Sequence, residues 1–393
     1  MFMKKILYIA PSPPNHLNRI RSLNLLKGLQ GQADVHLVCL CQEERDYTFL
    51  EKHKNLYTKS TVFRQPKWLS ILQCLFGIFR QVSLRTSYCS NRSLHAYLSR
   101  IDSSSYDLIY ITPLRMAQYA RYFPPEKVWV DLTDSMSLYY NRILRIGVPL
   151  FEKLIALYEG KYFRLFEKKI LQQYKTIYCS KIDLDYAHTH VSAPGHTSIV
   201  IPNVVDLNDF PLFSRPEHSS TFRLCYWGIL SSPFNYTAIE ILVNDIFPKL
   251  REKSSDFQLE IIGPNLPRHL QNRGTEGIIF TGYVHDLMSK LSQMDLFVCP
   301  LLFGTGVKNK ILQSIACGLP ILTTAIGAEG IEGIEELVSR KQLVIENSID
   351  HYPDLIMDLS RRSRGADSQE MRSFIERNYS INALRGFLSE RVL

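Results

Sequence analysis

Short apolar runs alternate with longer amphipathic stretches along the whole chain, and that alternation sets the expected fold. In the first half the runs are Lys5–Ala10, Val35–Leu40, Leu108–Thr112, Val128–Leu132, Thr176–Cys179 and Ile199–Ile201. The second half has Arg223–Trp227, Gln258–Ile262, Ile278–Thr281, Leu296–Cys299, Pro320–Thr323 and Leu343–Ile345. Continuously apolar strands separated by helical stretches predict parallel sheets covered on both faces. The rhythm occurs twice, which predicts two doubly wound α/β domains. The seam falls near Pro202-Asn203-Val204-Val205-Asp206, ahead of a polar loop from Ser214 to Thr221. The expected domains are therefore 1–203 and 204–370, with 371–393 a helix that crosses back to the first domain. Residues Gly147 to Tyr174 read as one long amphipathic helix.

In doubly wound sheets ligands sit outside the carboxyl ends of strands, so chemistry is expected in the strand-to-helix loops. The most informative loop is Leu301-Leu-Phe-Gly-Thr-Gly-Val-Lys-Asn-Lys310, between the strand at Asp295–Pro300 and the helix expected over Lys310–Cys317. Gly304 and Gly306 permit a tight turn, which would aim the amides of Val307, Lys308 and Asn309 outward at a helix N-terminus. That arrangement is a diphosphate cradle, in which the helix dipole and free N–H groups attract an anion. Lys308 and Lys310 add formal charge for a departing nucleotide diphosphate. The glycine-to-lysine spacing is not that of a Walker loop. No Gly-x-Gly-x-x-Gly follows the first strand, and no Gly-x-Ser-x-Gly elbow occurs, which disfavours dehydrogenase and α/β-hydrolase chemistry.

Composition narrows the class further. A length of 393 residues suits two domains, and 45% hydrophobic with 21% charged residues is globular. The eight cysteines are scattered without a Cys-x-x-Cys pair, so neither a zinc site nor a redox dithiol is indicated, and buried reduced thiols are expected. The histidines show no metal spacing. The apolar run after Met1 is too short for a signal peptide, and Trp68 to Phe79, with Gln73 inside it, is too short to span a bilayer. A soluble body in the cytoplasm is expected.

Charge is unevenly placed. Residues 1–200 hold 27 Lys and Arg against 15 Asp and Glu, whereas the rest hold 19 against 23. Between Lys52 and Ile101 there are nine Lys and Arg and no acid, interleaved with Trp68, Leu69, Ile71, Leu72, Leu75, Phe76 and Phe79. A basic surface with protruding aromatics suits adsorption to an anionic leaflet, here the inner face of the plasma membrane. The alternative is that these apolar residues are first-domain core beneath a solvated basic face. No nucleic-acid-binding motif accompanies the charge, so no nucleic acid partner is expected.

The run Leu312-Gln-Ser-Ile-Ala-Cys-Gly-Leu-Pro-Ile-Leu-Thr-Thr324, with Glu329-Gly330 after it, resembles the C-terminal domain of glycosyltransferase family 4. It is most similar to a polysaccharide-associated sugar-transferase branch. The resemblance continues through Tyr226-Trp-Gly-Ile-Leu, Asn235-Tyr236, Ile261-Ile-Gly-Pro264 and Thr281-Gly-Tyr-Val284. In the first half Pro11-Ser-Pro-Pro14 with Arg21, Asp131-Leu-Thr-Asp-Ser135, Ser180-Lys-Ile-Asp183 and Ile201-Pro-Asn-Val-Val-Asp206 occur in the family's order. Single motifs are weakly specific, but the ordered set covers nearly the whole chain.

The resemblance implies a GT-B fold, two Rossmann-like domains facing across a cleft, with retention of anomeric configuration and no metal. It implies no cofactor, the nucleotide-sugar (UDP- or GDP-linked) being a substrate. The second domain would hold that donor through Gly228, Asn235, Gly263, Tyr283, Val284, Gly304, Thr305, Gly306, Val307, Asn309 and Gln313. Lys308 and Lys310 would neutralise the diphosphate, and Asp134 would face the reacting groups. Arg21 and Ser135 would contact a saccharide or lipid-linked acceptor. A helix N-cap is the alternative role for Asp134. Three positions depart from the family. Thr305 and Gln313 stand where it has two glutamates eight apart, the second of which accepts hydrogen bonds from ribose hydroxyls, and Leu17 stands where a glycine follows Pro-Pro. Gln313 and Leu17 motivate a second reading, a catalytically weak or inactive GT-B subunit that binds another transferase. An epimerase acting on a UDP-N-acetylhexosamine would need more acidic and histidine residues in these loops.

Overall fold

The computed structural model describes residues 3–16, 19–146, 150–213, 221–271, 276–361 and 368–393. Two compact units emerge, one of Met1–Asn203 with Ile381–Leu393, the other of Val204–Ser380. In the first, strands β1 (Lys4–Ala10), β2 (Ala33–Cys41), β3 (Lys59–Arg64), β4 (Leu108–Ile111), β5 (Val128–Thr133), β6 (Lys175–Tyr178) and β7 (Ser198–Val200) form a sheet in the order β3-β2-β1-β4-β5-β6-β7. In the second, β8 (Phe222–Trp227), β9 (Phe257–Ile262), β10 (Ile278–Gly282), β11 (Leu296–Cys299), β12 (Ile321–Thr323) and β13 (Leu343–Ile345) take the order β10-β9-β8-β11-β12-β13. Every pairing within both sheets is parallel. The central strands are buried on both faces, as in Ile6 to Ala10 and Leu296 to Cys299. This is the doubly wound arrangement that the apolar runs predict. Its direction reverses between β1 and β4 in one unit and between β8 and β11 in the other.

Strand β3 was not among the expected strands. Its sequence, Lys-Ser-Thr-Val-Phe-Arg, has no buried residue, because it pairs on one side only, at the sheet edge. Charged edge strands blunt unwanted pairing, and polarity of that kind hides them from an apolar-run criterion.

Nine of the helices bear on function. They are α1 (Ile20–Leu29), α2 (Lys67–Phe79), α3 (Leu84–Tyr88), α4 (Met136–Arg145), α5 (Leu150–Gln173), α6 (Pro233–Ile241), α7 (Asn309–Ala316), α8 (Ser368–Asn378) and α9 (Ile381–Arg391). The segment expected as one C-terminal helix is therefore two, interrupted at Tyr379 and Ser380. The first, α8, belongs to the second unit, and α9 belongs to the first. Of the polar loop expected from Ser214 to Thr221, residues 214–220 lie outside the described residues.

Helix α9 packs on α1, where a Cβ at Gly28 would come within 3.1 Å of Leu384 and Leu388. Helix α1 also carries Arg21, whose Nε donates to Asp131 Oδ2 on β5 at 2.9 Å. Its Nη1 donates to the carbonyl of Ile201 and to Asn203 Oδ1, both at 3.0 Å. Tyr110 on β4 donates to the same Asp131 oxygen at 2.7 Å, and the Thr133 amide donates to the other at 2.9 Å. Asp131 is fully buried. Burial opposes the Arg21 charge most strongly, but Asp131, Tyr110 and Cys179 together more than offset it, and the guanidinium pKa rises.

All eight cysteines are free thiols; Cys74 is half-buried and the others are buried. Among the described residues no helix is long and apolar enough to cross a membrane.

Removing one member of a buried pair leaves the other charge uncompensated, which typically costs about 3–5 kcal/mol. Asp131→Ala is therefore expected to lower the urea midpoint of the first unit strongly. A midpoint within error of wild type would show that Arg21 finds another partner.

Candidate functional site

The reversal in the second sheet leaves the loops after β8 and β11 at one switch point, where a doubly wound sheet opens a crevice. Strand β8 runs into Gly228 at φ 151° and β9 into Gly263 at φ 145°, both in a region that side chains rarely enter. The Gly228 amide donates to Ile262 O at 3.1 Å, and the Gly263 amide donates to Gly282 O at 2.9 Å. A Cβ on Gly263 would overlap the carbonyl oxygen of Gly228. A Cβ on Gly228 would sit 2.9 Å from Asn235 Nδ2 and 3.3 Å from Lys310 Nζ. The two glycines thus let three loops and one lysine converge.

The glycine-rich turn after β11 is anchored from behind. Thr323 Oγ1 donates to Cys299 O at 2.7 Å and Thr324 Oγ1 to Leu301 O at 2.5 Å. Gly304 and Gly306 take φ 141° and 66°. Lys308 caps α7 through its backbone, and its ammonium folds back to Gly306 O at 2.7 Å. The helix begins at Asn309, so the Asn309 and Lys310 amides open a first turn that contains no acidic residue. Such amides have no intrahelical acceptor and attract anions.

Lys310 does not extend into solvent. Its Nζ donates to Asn235 Oδ1 at 2.6 Å and to Tyr226 Oη at 2.9 Å, and lies 4.3 Å from the centre of the Tyr226 ring. Tyr226 Oη also donates to Asn235 Oδ1 at 2.6 Å, while Asn235 Nδ2 donates to Ile229 O at 2.9 Å. Burial pushes the Lys310 ammonium down to about 8, with Cys299 acting weakly the other way. Tyr226 opens the Tyr226–Leu230 motif, which by itself points to no role for its hydroxyl. Nothing in the spacing reveals its partnership with a lysine 84 residues away.

The remaining residues expected at the donor lie on these loops or just beyond. Gln313 is half-buried one turn after Lys310, and Thr305 is half-buried in the glycine turn. Val307 is buried in the core of the unit. Val284 packs partly against that core, whereas Tyr283 is exposed, with its ring edge-on to His285 at 5.2 Å.

In the first unit Ser135, not Asp134, is the N-cap of α4. Its Oγ accepts from the Leu138 amide at 3.2 Å, its own amide donates to Asp183 Oδ1 at 2.8 Å, and it is fully buried. Asp134 is left half-buried at the carboxyl end of β5, where Oδ1 accepts from the Cys179 thiol at 2.9 Å. Arg21 is the core residue described above, with Nη2 buried and unpartnered. Leu17 lies outside the described residues. Among the described residues, Asp134, Cys179 and Asp183 form one group whose metal-ligating atoms fall within 4.8 Å of one another. Asp183 accepts there from Ser180 Oγ at 2.5 Å and from the Ser135 amide, and Asp134 accepts from the thiol, so these donors already serve one another.

Residues 221–359 match the family described as glycosyl transferases group 1. Over 98% of both chains the structure is similar to HepE of Anabaena in complex with UDP and glucose, at TM-score 0.65 and 14% identity. The fold is GT-B. A glycosyltransferase from Rickettsia africae is similar over 99% of this chain and 97% of that one, at TM-score 0.62 and 13% identity. In sequence, an uncharacterized 44.6 kDa protein in the cps region of Klebsiella pneumoniae is 24% identical over 96% of this chain and 97% of the other. Within this GT-B chain the family match spans both glycine strand ends, the glycine-rich turn and α7.

A folded-state lysine pKa near 8, below its unfolded value, means that Lys310 favours folding less when charged. Its penalty is fully present at pH 7 and fades as pH rises from about 8 towards the ordinary lysine range. Lys310→Met is therefore expected to be more stable than wild type at pH 7, with the gain shrinking by pH 10. Urea midpoints at the two values check this, and a variant less stable at pH 7 would assign Lys310 a structural role.

Proposed function

We propose that the chain is a retaining, metal-independent glycosyltransferase of family 4, in the polysaccharide-associated branch. It moves a sugar from a nucleotide-sugar donor to a saccharide or lipid-linked acceptor. One observation carries the reading: two lysines and the opening amides of α7 meet at the switch point of the family-matching unit, with Lys310 held there at the expense of its own solvation. A site that keeps a partly desolvated ammonium beside open helix amides is built to receive an anion. The UDP in the Anabaena neighbour makes a uridine diphosphate sugar the first donor to test. The relative in a cps region supports a polysaccharide context.

In this reading the diphosphate lies over Gly304–Asn309 and takes hydrogen bonds from the α7 amides. The C1–O bond to the diphosphate breaks, the acceptor oxygen bonds to C1 on the face the diphosphate leaves, and the acceptor's hydroxyl proton passes to the departing diphosphate oxygen. Negative charge growing on the leaving oxygen is met by Lys308 and Lys310, each worth on the order of 3–4 kcal/mol if well placed. Asp134 is assigned to the acceptor hydroxyl at the carboxyl end of β5. The base stacks near Tyr283 and Val284, and Gln313 meets the ribose. Arg21 acts by holding β5 in place, and Ser135 by starting α4. Residues 52–101 place the first unit on an anionic membrane, which keeps the protein peripheral on the cytoplasmic face.

Calorimetry with UDP, GDP and ADP should find UDP the strongest ligand. Because a bound diphosphate favours charged Lys310, UDP affinity is expected to fall as pH rises through about 8. A Lys310→Arg variant should bind UDP with little dependence on pH between 7 and 10. Equal pH profiles in the two proteins would remove Lys310 from the diphosphate. Lys308→Ala combined with Lys310→Ala should abolish turnover while the thermal midpoint stays close to wild type. Gln313 favours a second reading, a weak or inactive copy: if no nucleotide binds until Gln313→Glu restores affinity, that reading replaces the first.

A further inference from the structure

Helix α2 is amphipathic in the wrong sense for a surface helix. Trp68, Ile71, Leu72, Leu75, Phe76 and Phe79 recur at the spacing of one helical face, and all six are exposed, Trp68 at 67% and Phe79 at 86%. The opposite face, at Ser70, Gln73, Cys74 and Gly77, turns inward. There Ser70 Oγ accepts from Gln65 Nε2 at 3.1 Å, and the Cys74 thiol donates to Leu84 O at 3.3 Å. Gly77 lies so close to α3 that a Cβ would overlap Ser87 Oγ. A surface helix of a water-soluble protein buries its apolar stripe, so this inversion is fixed by tertiary contacts rather than by local preference.

The first half of α5 does the same. Leu150, Phe151, Leu154 and Leu157 are exposed, Leu150 at 74%, with Glu152 and Lys153 beside them. The two helices are tied together, since Tyr158 on α5 donates to Gly77 O at 3.3 Å and to Val82 O at 3.0 Å. Between them lies a cavity of ≈ 490 Å³. Phe76 and Arg80 line it from the α2 side, Leu165 and Lys169 from α5, and Arg121 from the segment after β4. Arg121 is held by Tyr122, donating to Oη at 3.0 Å with its guanidinium 5.0 Å from the ring centre. Among the described residues no carboxylate lines the cavity.

We propose that this cavity is a binding site for the phosphate headgroup of an anionic phospholipid in a bilayer that takes up the exposed faces of α2 and α5. The inference rests on the membrane-facing reading of residues 52–101 and adds a second inserting element and a specific lipid site. Three cations without a carboxylate suit a phosphodiester, and the apolar faces beside them suit its acyl chains. All of these residues belong to the first unit, whereas the lysines assigned to the donor belong to the second.

The test is co-sedimentation of the full chain with phosphatidylcholine vesicles containing 0 or about 30% phosphatidylglycerol, a fraction chosen to give a clearly anionic surface. Wild type is expected to bind the anionic vesicles at least tenfold more tightly. Trp68→Ser with Phe79→Ser should lose binding to both. Arg80→Gln, Arg121→Gln and Lys169→Gln together should lose the preference for phosphatidylglycerol. A control removing three exposed basic charges outside both the cavity and residues 52–101, Lys4→Gln, Lys5→Gln and Arg391→Gln, should retain most of it. Equal losses in the two triple variants would overturn the cavity site and leave diffuse attraction. Absence of binding by wild type to either vesicle would overturn the membrane reading as well. A thermal shift with short-chain phosphatidylglycerol but not with inorganic phosphate is expected; a shift with phosphate alone would overturn the lipid assignment. UDP binding, measured in parallel, should be unchanged in every variant, which separates a failure here from a failure of the transferase reading.

Discussion

The first unit depends on one buried ion pair. Arg21 and Asp131 join α1 to β5, and the same guanidinium holds the carbonyl of Ile201 and the side chain of Asn203, where the chain leaves the unit. Asp131 in turn fixes Tyr110 on β4 and the Thr133 amide, at a residue with φ 69° that starts the turn towards Asp134. A pair this deep is not an efficient source of stability, because desolvation offsets most of the attraction. It supplies geometry instead: the carboxyl ends of β4 and β5 and the exit segment are held to one point. Asp134 owes its position beside the Cys179 thiol to that point.

The second unit solves its own version of the problem with glycines and threonines. Gly228 and Gly263 admit a close crossing of strand ends, and Thr323 and Thr324 hold the glycine-rich turn from behind. Lys310 is seated among Tyr226 and Asn235. The site is preorganised, and part of its cost is borne by a lysine that is easier to deprotonate than one in water.

Much of this was legible in the sequence because continuous apolar runs identify strands buried on both faces, and twelve strands lie where such runs stand. The glycine-rich turn and the start of α7 were legible for a similar reason, since glycine pairs before a helix restrict what the backbone can do. What escaped was set by distant contacts. Strand β3 is polar because it is an edge. The apolar stretch at Trp68–Phe79 was readable as core or as membrane-facing surface; only packing against Ser87 and Leu84 turns its small polar face inward. The cap of α4 is Ser135 because Asp183, far along the chain, accepts its amide. Tyr226 and Lys310 likewise carry no local sign of each other.

Helix α9 has a consequence for how the polypeptide is made. Its leucines close over Gly28 in α1, so the first unit takes core residues from both extremes of the sequence while Val204–Ser380 forms the second unit between them. During translation the amino-terminal sheet must wait, with the α9 face of α1 uncovered, until some 180 further residues have been synthesised. The second unit, contiguous in sequence, is complete before its predecessor. The order in which the two units are completed therefore runs opposite to the order in which they are begun.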